Sequence, residues 1–257
     1  MPVGLPVTMP ETIESIIDAL EVITDQAIAD QSPDGYFASL YCRVTREVRD
    51  AIHRNEFLDN KRMEQLDVVF ANRYLEALRT YRESGASTRS WQVAFKQKSN
   101  PRLIVLQHLL LGMNAHINLD LGIAASEVYQ EANVIPLKAD FFRINDILGN
   151  MIEDTQRRLT YMFGPLGLID RLLGSVDERL SLFSISYARD KAWNQTLELI
   201  LATPDTREAM INERDENVAA FAQCLIRPRK VSIRLLLGLV RMLERGNTVA
   251  RIRWLRG

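Results

Sequence analysis

Histidine and cysteine are scarce in this chain, with three of one and two of the other in 257 residues. Cys42 and Cys224 lie far apart, which excludes a disulfide framework and a cysteine-rich metal site and fits a reducing compartment, with the cytoplasm as the expected location. No apolar run reaches the roughly 20 residues of a membrane span. The opening MPVGLPVTMPETIESIIDAL has no Lys or Arg ahead of its apolar residues, so it does not read as a secretory signal. GxGxxG, GxxxxGK[ST], GxSxG and HExxH are all missing, and so are the paired Glu-x-x-His elements of ferritin-like di-iron bundles. The formal net charge of −1 gives the whole molecule no bulk attraction for nucleic acid, and no nucleic-acid partner is expected.

Strand-like alternation is also lacking, whereas helical periodicity runs through nearly the whole chain. Thr8-Met-Pro-Glu11 reads as a capping box opening a helix that lasts to about residue 29. Further helices are predicted near 36–55, 60–84, 88–98, 101–131, 138–163, 167–173, 177–202, 204–224 and 229–245, followed by a short basic tail. The fold class this implies is all-α: one multi-helix bundle over 1–225 with a basic amphipathic helical extension over 226–257. From Leu225 onward there are nine Lys and Arg residues against Glu244 alone. Such a segment can touch an anionic membrane surface through residues 229–257. The favoured alternative is that its leucine face packs on the bundle and its arginines stay solvated.

QHLLLGMNAHINLDLG, residues 107–122, is apolar nearly all round and yet carries two of the three histidines. At about 100° per residue, His108, Gly112, His116 and Asp120 share one side, while Gln107, Asn114 and Asn118 face the other. Buried polar groups must find partners or bind something. His116 and Asp120 stand one turn apart, a spacing that suits chelation of one ion. His108 is two turns back, about 12 Å away, too far to join them. It is assigned to proton transfer or to a second ion, and Gly112 leaves a gap between. The competing reading is a pair of hydrogen-bonded core histidines.

In KRMEQLDVVFANRYLEAL, Asp67 sits at the centre of the apolar stripe formed by Met63, Phe70, Ala71, Tyr74 and Leu78, with Glu64 at its edge. A lone carboxylate there needs a metal, an arginine or a proton. Tyr74 is placed to donate into the same space. Asp140 and Arg158 are weaker candidates on a later stripe. Arg189 could neutralise a carboxylate or hold an anionic group, or simply lay its stem on apolar surface. The expected metal set is Asp67, His116 and Asp120, holding a divalent ion (Zn, Mn or Fe), with His108, Arg189 and Tyr74 as catalytic side chains.

The stretches YFASLYCRVTREV, RMEQLDVVFANRYLEAL, QHLLLGMNAHINLDLGIAA and DFFRINDIL together resemble an uncharacterised bacterial domain-of-unknown-function family, over roughly residues 30–200. The resemblance implies an all-helical fold and brings no activity. The expectation is a metal-dependent enzyme, hydrolase or lyase, acting on a small, largely apolar substrate. A binding protein for a lipid-like ligand and a non-haem iron oxidase or oxygenase are the alternatives.

Overall fold

The computed structural model describes residues 8–129, 138–149, 151 and 185–257. These are helical with no strand among them, as the periodicity predicts. In chain order the helices are α1 (Ile13–Ala29), α2 (Asp34–His53), α3 (Asn60–Ser84), α4 (Arg89–Lys96), α5 (Val105–Ala115), α6 (Leu121–Val128), α7 (Ile185–Leu201), α8 (Pro204–Ile226), α9 (Val231–Leu243) and α10 (Thr248–Arg256). Residues 138–149 form a further helical segment before α7. Arg158 and the helix predicted at 167–173 lie outside the described residues.

Several boundaries follow from side chains that satisfy the free N–H groups of a first turn. Thr12, rather than Thr8, caps α1, in a reciprocal box with Ser15. Asp59 caps α3 and Thr203 caps α8 ahead of Pro204. Gly85, at φ 74°, ends α3 in the left-handed conformation that a side chain disfavours. The fifth helix begins at Val105 and not at Pro101. There the Gln107 side chain returns to accept from the Ile104 N–H at 3.2 Å.

The largest core cluster lies where α1, α2, α3, α4 and α5 meet, and its aromatic members are Phe37, Tyr41, Tyr74, Trp91 and Phe95. A second gathers α6, α7 and the 138–149 segment around Phe141 and Trp193. The tail that looked merely basic forms α10, which seals the outer side of α1 and α2. Ile252 and Leu255 are fully buried, and the Ile252 side chain lies directly on Gly35. Arg256 pairs with Asp25 and Glu21, so its charge is used in docking the helix.

Candidate functional site

Between α5 and α6 the chain does not break; it passes through one π-helical turn, His116–Asp120. The Leu121 N–H reaches back five residues to the His116 carbonyl. Such insertions are rare and recur at functional sites, because they re-aim side chains without ending the helix. Here His116 and Asp120 stand at the two ends of the turn, with His116 Nδ1 3.3 Å from Asp120 Oδ2.

The polar residues of this long helix divide into two groups with different tasks. Gln107 donates to the Leu225 carbonyl at 2.8 Å, and Asn114 donates to the Val218 carbonyl at 3.0 Å. Asn118 donates to Asn114 at 3.0 Å, while Arg214 donates to the Asn118 carbonyl at 2.8 Å. That side is the seam with α8. The other side holds His116 and Asp120.

Asp120 is clamped. Trp91 Nε1 donates to its Oδ2 at 2.8 Å, and Arg73 Nε donates to its Oδ1 at 3.2 Å. Arg73 also reaches Glu127 at 3.5 Å. A carboxylate bound by these donors can only accept, so the imidazole nitrogen facing it carries the hydrogen. Nε2 is then the bare lone-pair nitrogen. It is buried and has no hydrogen-bond partner among the described residues.

His116 is enclosed by rings. Phe70 stacks on it at 3.6 Å between centroids and 8° between planes, and Tyr41 meets it edge-on at 4.5 Å. Phe37, Trp91 and Tyr74 complete the wall at 5.8, 6.1 and 6.2 Å. Burial in this cage lowers the basicity of the imidazole against the pull of Asp120, with Arg73 acting in the same direction as burial. The ring is held neutral.

Two more buried polar atoms lack partners among the described residues: the hydroxyl of Tyr41, whose ring meets His116, and Oδ2 of Asp67, whose charge is felt by Tyr41. Burial and the nearby charges of Asp67 and Asp120 raise the Tyr41 hydroxyl well above its ordinary range, so it keeps its proton and remains a hydrogen-bond donor. Burial, helped by Glu64, pushes the Asp67 carboxyl up to about 7. A buried polar atom without a partner costs roughly 1–3 kcal/mol. Perturbed, unpartnered groups of this kind mark candidates for a functional role.

The residues proposed from sequence separate in the structure. His116 and Asp120 come together, but among the described residues no three His, Cys, Asp or Glu side chains form a group that could hold a metal ion. The oxygens of Asp120 are already engaged by their donors. His108 lies apart, edge-on to Tyr36 at 5.7 Å, with its basicity lowered to about 4 by burial and by Arg241. The gap at Gly112 is filled by Phe37: a Cβ there would stand 2.5 Å from the ring. Tyr74 contributes its ring to the wall, while the charges its hydroxyl feels are those of Asp34 and Arg82. Arg189 serves the second core. Its guanidinium lies over Phe141 at 4.6 Å and donates to the Phe141 carbonyl. Asp140 accepts from the N–H groups of Leu58 and Asp59 at 2.7 and 3.0 Å, which fixes the turn before α3. Trp91, Arg73 and Tyr41, which hold or face the pair, carried no functional signal in the sequence.

Gly112 gives a direct test of how tightly this wall is built. Phe37 is wedged against Tyr41, Tyr74, Trp91 and His116 and has little room to retreat. Gly112→Ala is expected to cost about 1–3 kcal/mol in urea unfolding through overpacking.

The class defined by fold and site is an all-helical protein with a histidine–carboxylate dyad in its core. The chain belongs to the family of unknown function DUF5995, whose family model matches residues 13–228. No curated protein and no solved structure matches it. No described helix is long and apolar enough to cross a membrane.

Proposed function

We propose that this protein is an enzyme in which His116, oriented by Asp120, acts as a general base on a small, largely apolar substrate. The observation that carries this reading is the unpartnered Nε2 of a neutral imidazole whose other nitrogen is tied to a clamped carboxylate. That arrangement fixes the tautomer and leaves one lone pair for the reaction. Tyr41 and Asp67 take different parts: the phenol, its pKa raised, keeps its proton and offers a hydrogen bond, while the carboxyl, at about 7, carries a proton near neutral pH that it can give up. Phe37, Phe70, Tyr74 and Trp91 make the surroundings apolar, which selects the substrate class.

The reaction class is hydrolysis or lyase-type elimination: His116 Nε2 takes a proton from water or from the substrate, Tyr41 offers a hydrogen bond to the developing anion, and Asp67 returns a proton to the leaving group. This chemistry needs no ion. A divalent metal, if bound, would be met by His116 Nε2, with Asp120 behind the ring as the carboxylate that orients it. The cytoplasm is the proposed location, because neither cysteine is paired and burial raises the Cys42 thiol to about 11, which leaves it unreactive.

Turnover of a panel of small aryl esters and amides by wild type and His116→Gln tests this reading, with circular dichroism as the folding control. A loss of about 10²–10⁴-fold is expected for a positioned general base. Equal turnover by the two proteins contradicts it.

A further inference from the structure

One surface of the C-terminal helices has no part in the dyad. α9 is apolar on two opposite sides. Ile233 and Val240 are buried, and Leu236 and Leu237 pack partly against the cluster of Val105, Leu109, Ile252 and Leu255. The leucine face expected to cover the bundle therefore does so with only part of its residues. On the other side Val231, Leu235, Leu239, Met242 and Leu243 are exposed, Leu235 by 71% and Met242 by 77%. At about 100° per residue these five fall within an arc of roughly 120°. Gly238 borders the same side, and nothing lies within 4 Å of the point where its Cβ would be.

The charge that the C-terminal segment itself exposes beside this face has one sign. Arg234 flanks the stripe, and Arg229 and Arg245 stand beyond the two ends of the helix, all three exposed. The only carboxylate from Leu225 onward, Glu244, is withdrawn from the surface with its side chain fully buried. It accepts from the Val105 N–H at 2.7 Å and pairs with Arg241 at 3.2 Å and Arg251 at 2.9 Å. No exposed acidic side chain of this segment is left to repel an anion.

We propose that this face of α9 docks on an anionic lipid surface, with the helix lying in the plane of the interface. Thirteen residues give a helix about 20 Å long, which suits lying along a bilayer and not crossing it. Val231, Leu235, Leu239 and Met242 enter the boundary between headgroups and acyl chains. Arg229, Arg234 and Arg245 meet lipid phosphates. A protein partner could cover the apolar stripe as well, but the exposed arginines beside it, with no exposed acid of the same segment, favour a broad anionic plane.

Co-sedimentation of the full chain with phosphatidylcholine vesicles, made with and without phosphatidylglycerol, tests the proposal. Binding is expected on the vesicles containing phosphatidylglycerol and is expected to weaken as salt rises. The double variant Leu235→Glu/Met242→Glu changes only exposed positions and keeps its circular dichroism spectrum. It should lose about tenfold or more in binding. Arg229→Glu/Arg234→Glu should weaken binding while leaving the stripe intact. The proposal is overturned if neither vesicle binds, or if wild type and the leucine–methionine variant bind equally. Gel filtration showing a dimer that the same variant dissolves also overturns it, since the face is then a contact between two copies.

Discussion

Asp120→Ala lowers the stability of this protein by about 3–5 kcal/mol in urea unfolding, the range expected when one partner of a buried charged network is removed. The reason is the number of donors that converge on it. Trp91 Nε1–H and His116 Nδ1–H are left buried with nothing to accept them, each at a cost of roughly 1–3 kcal/mol. Arg73 adds less, because its side chain is 25% exposed and water replaces the lost oxygen. Asp120→Asn keeps one acceptor but turns an amide N–H toward donors, so it falls between alanine and wild type. It also frees the imidazole to choose the other tautomer, so catalysis is lost further than stability. An Asp120→Ala cost below about 1 kcal/mol would mean that the clamp does not bear on the core.

Asp67→Asn is expected to do the opposite and stabilise the protein at alkaline pH. The carboxyl has a folded value of about 7, above its ordinary value of 3.8. Between those limits the native state holds a proton that the unfolded chain has released. The contribution of Asp67 is therefore fully present below the ordinary value and is lost as pH rises through about 7. His116 runs the other way. Its folded value is lowered, so its contribution is present above the ordinary value of 6.5 and is lost as pH falls. His108, lowered to about 4, adds to the same trend. In wild type the two trends oppose each other across the acid range. Asn at position 67 removes the first and leaves the second. Stability should then rise with pH toward 6.5, and above pH 7 the variant should exceed wild type by on the order of 2–4 kcal/mol. Chemical unfolding of both proteins from pH 4 to pH 8 checks this. A variant less stable than wild type at pH 8 would mean that Asp67 is a structural carboxylate with partners. An acid that costs the fold stability belongs to the chemistry of the core and not to its packing.

Much of this arrangement was legible in the residues, for physical reasons that also explain what was not. The helices announce themselves because burial imposes a 3.6-residue period and caps require particular side chains, as Thr203-Pro204 shows. Asp67 stood out as a carboxylate centred on an apolar stripe. His116 and Asp120 stood out by their one-turn spacing, but that spacing serves a chelate and a hydrogen-bonded pair equally. What decides between them is the donors on neighbouring helices. Trp91 lies 29 positions before Asp120 and Arg73 lies 47 before it, and no local period carries such a contact. Tyr41 sits in YFASLYCRV, where an aromatic that faces a polar site and one that only packs look alike. The π turn was hidden too: HINLD has no proline or glycine, and an ordinary helix accommodates it. On α9 the sequence pattern suggests one leucine face, whereas the leucines wrap around to a second.

The most direct test of the central claim is the protonation of one ring. Nitrogen-15 NMR of the histidine side chains, assigned with His116→Gln and followed through a pH titration, reports which nitrogen of His116 carries the hydrogen and when the ring becomes charged. The account predicts hydrogen on Nδ1, a bare Nε2, and a ring still neutral at and below its ordinary value of about 6.5. Hydrogen on Nε2, or an imidazolium at neutral pH, would contradict it.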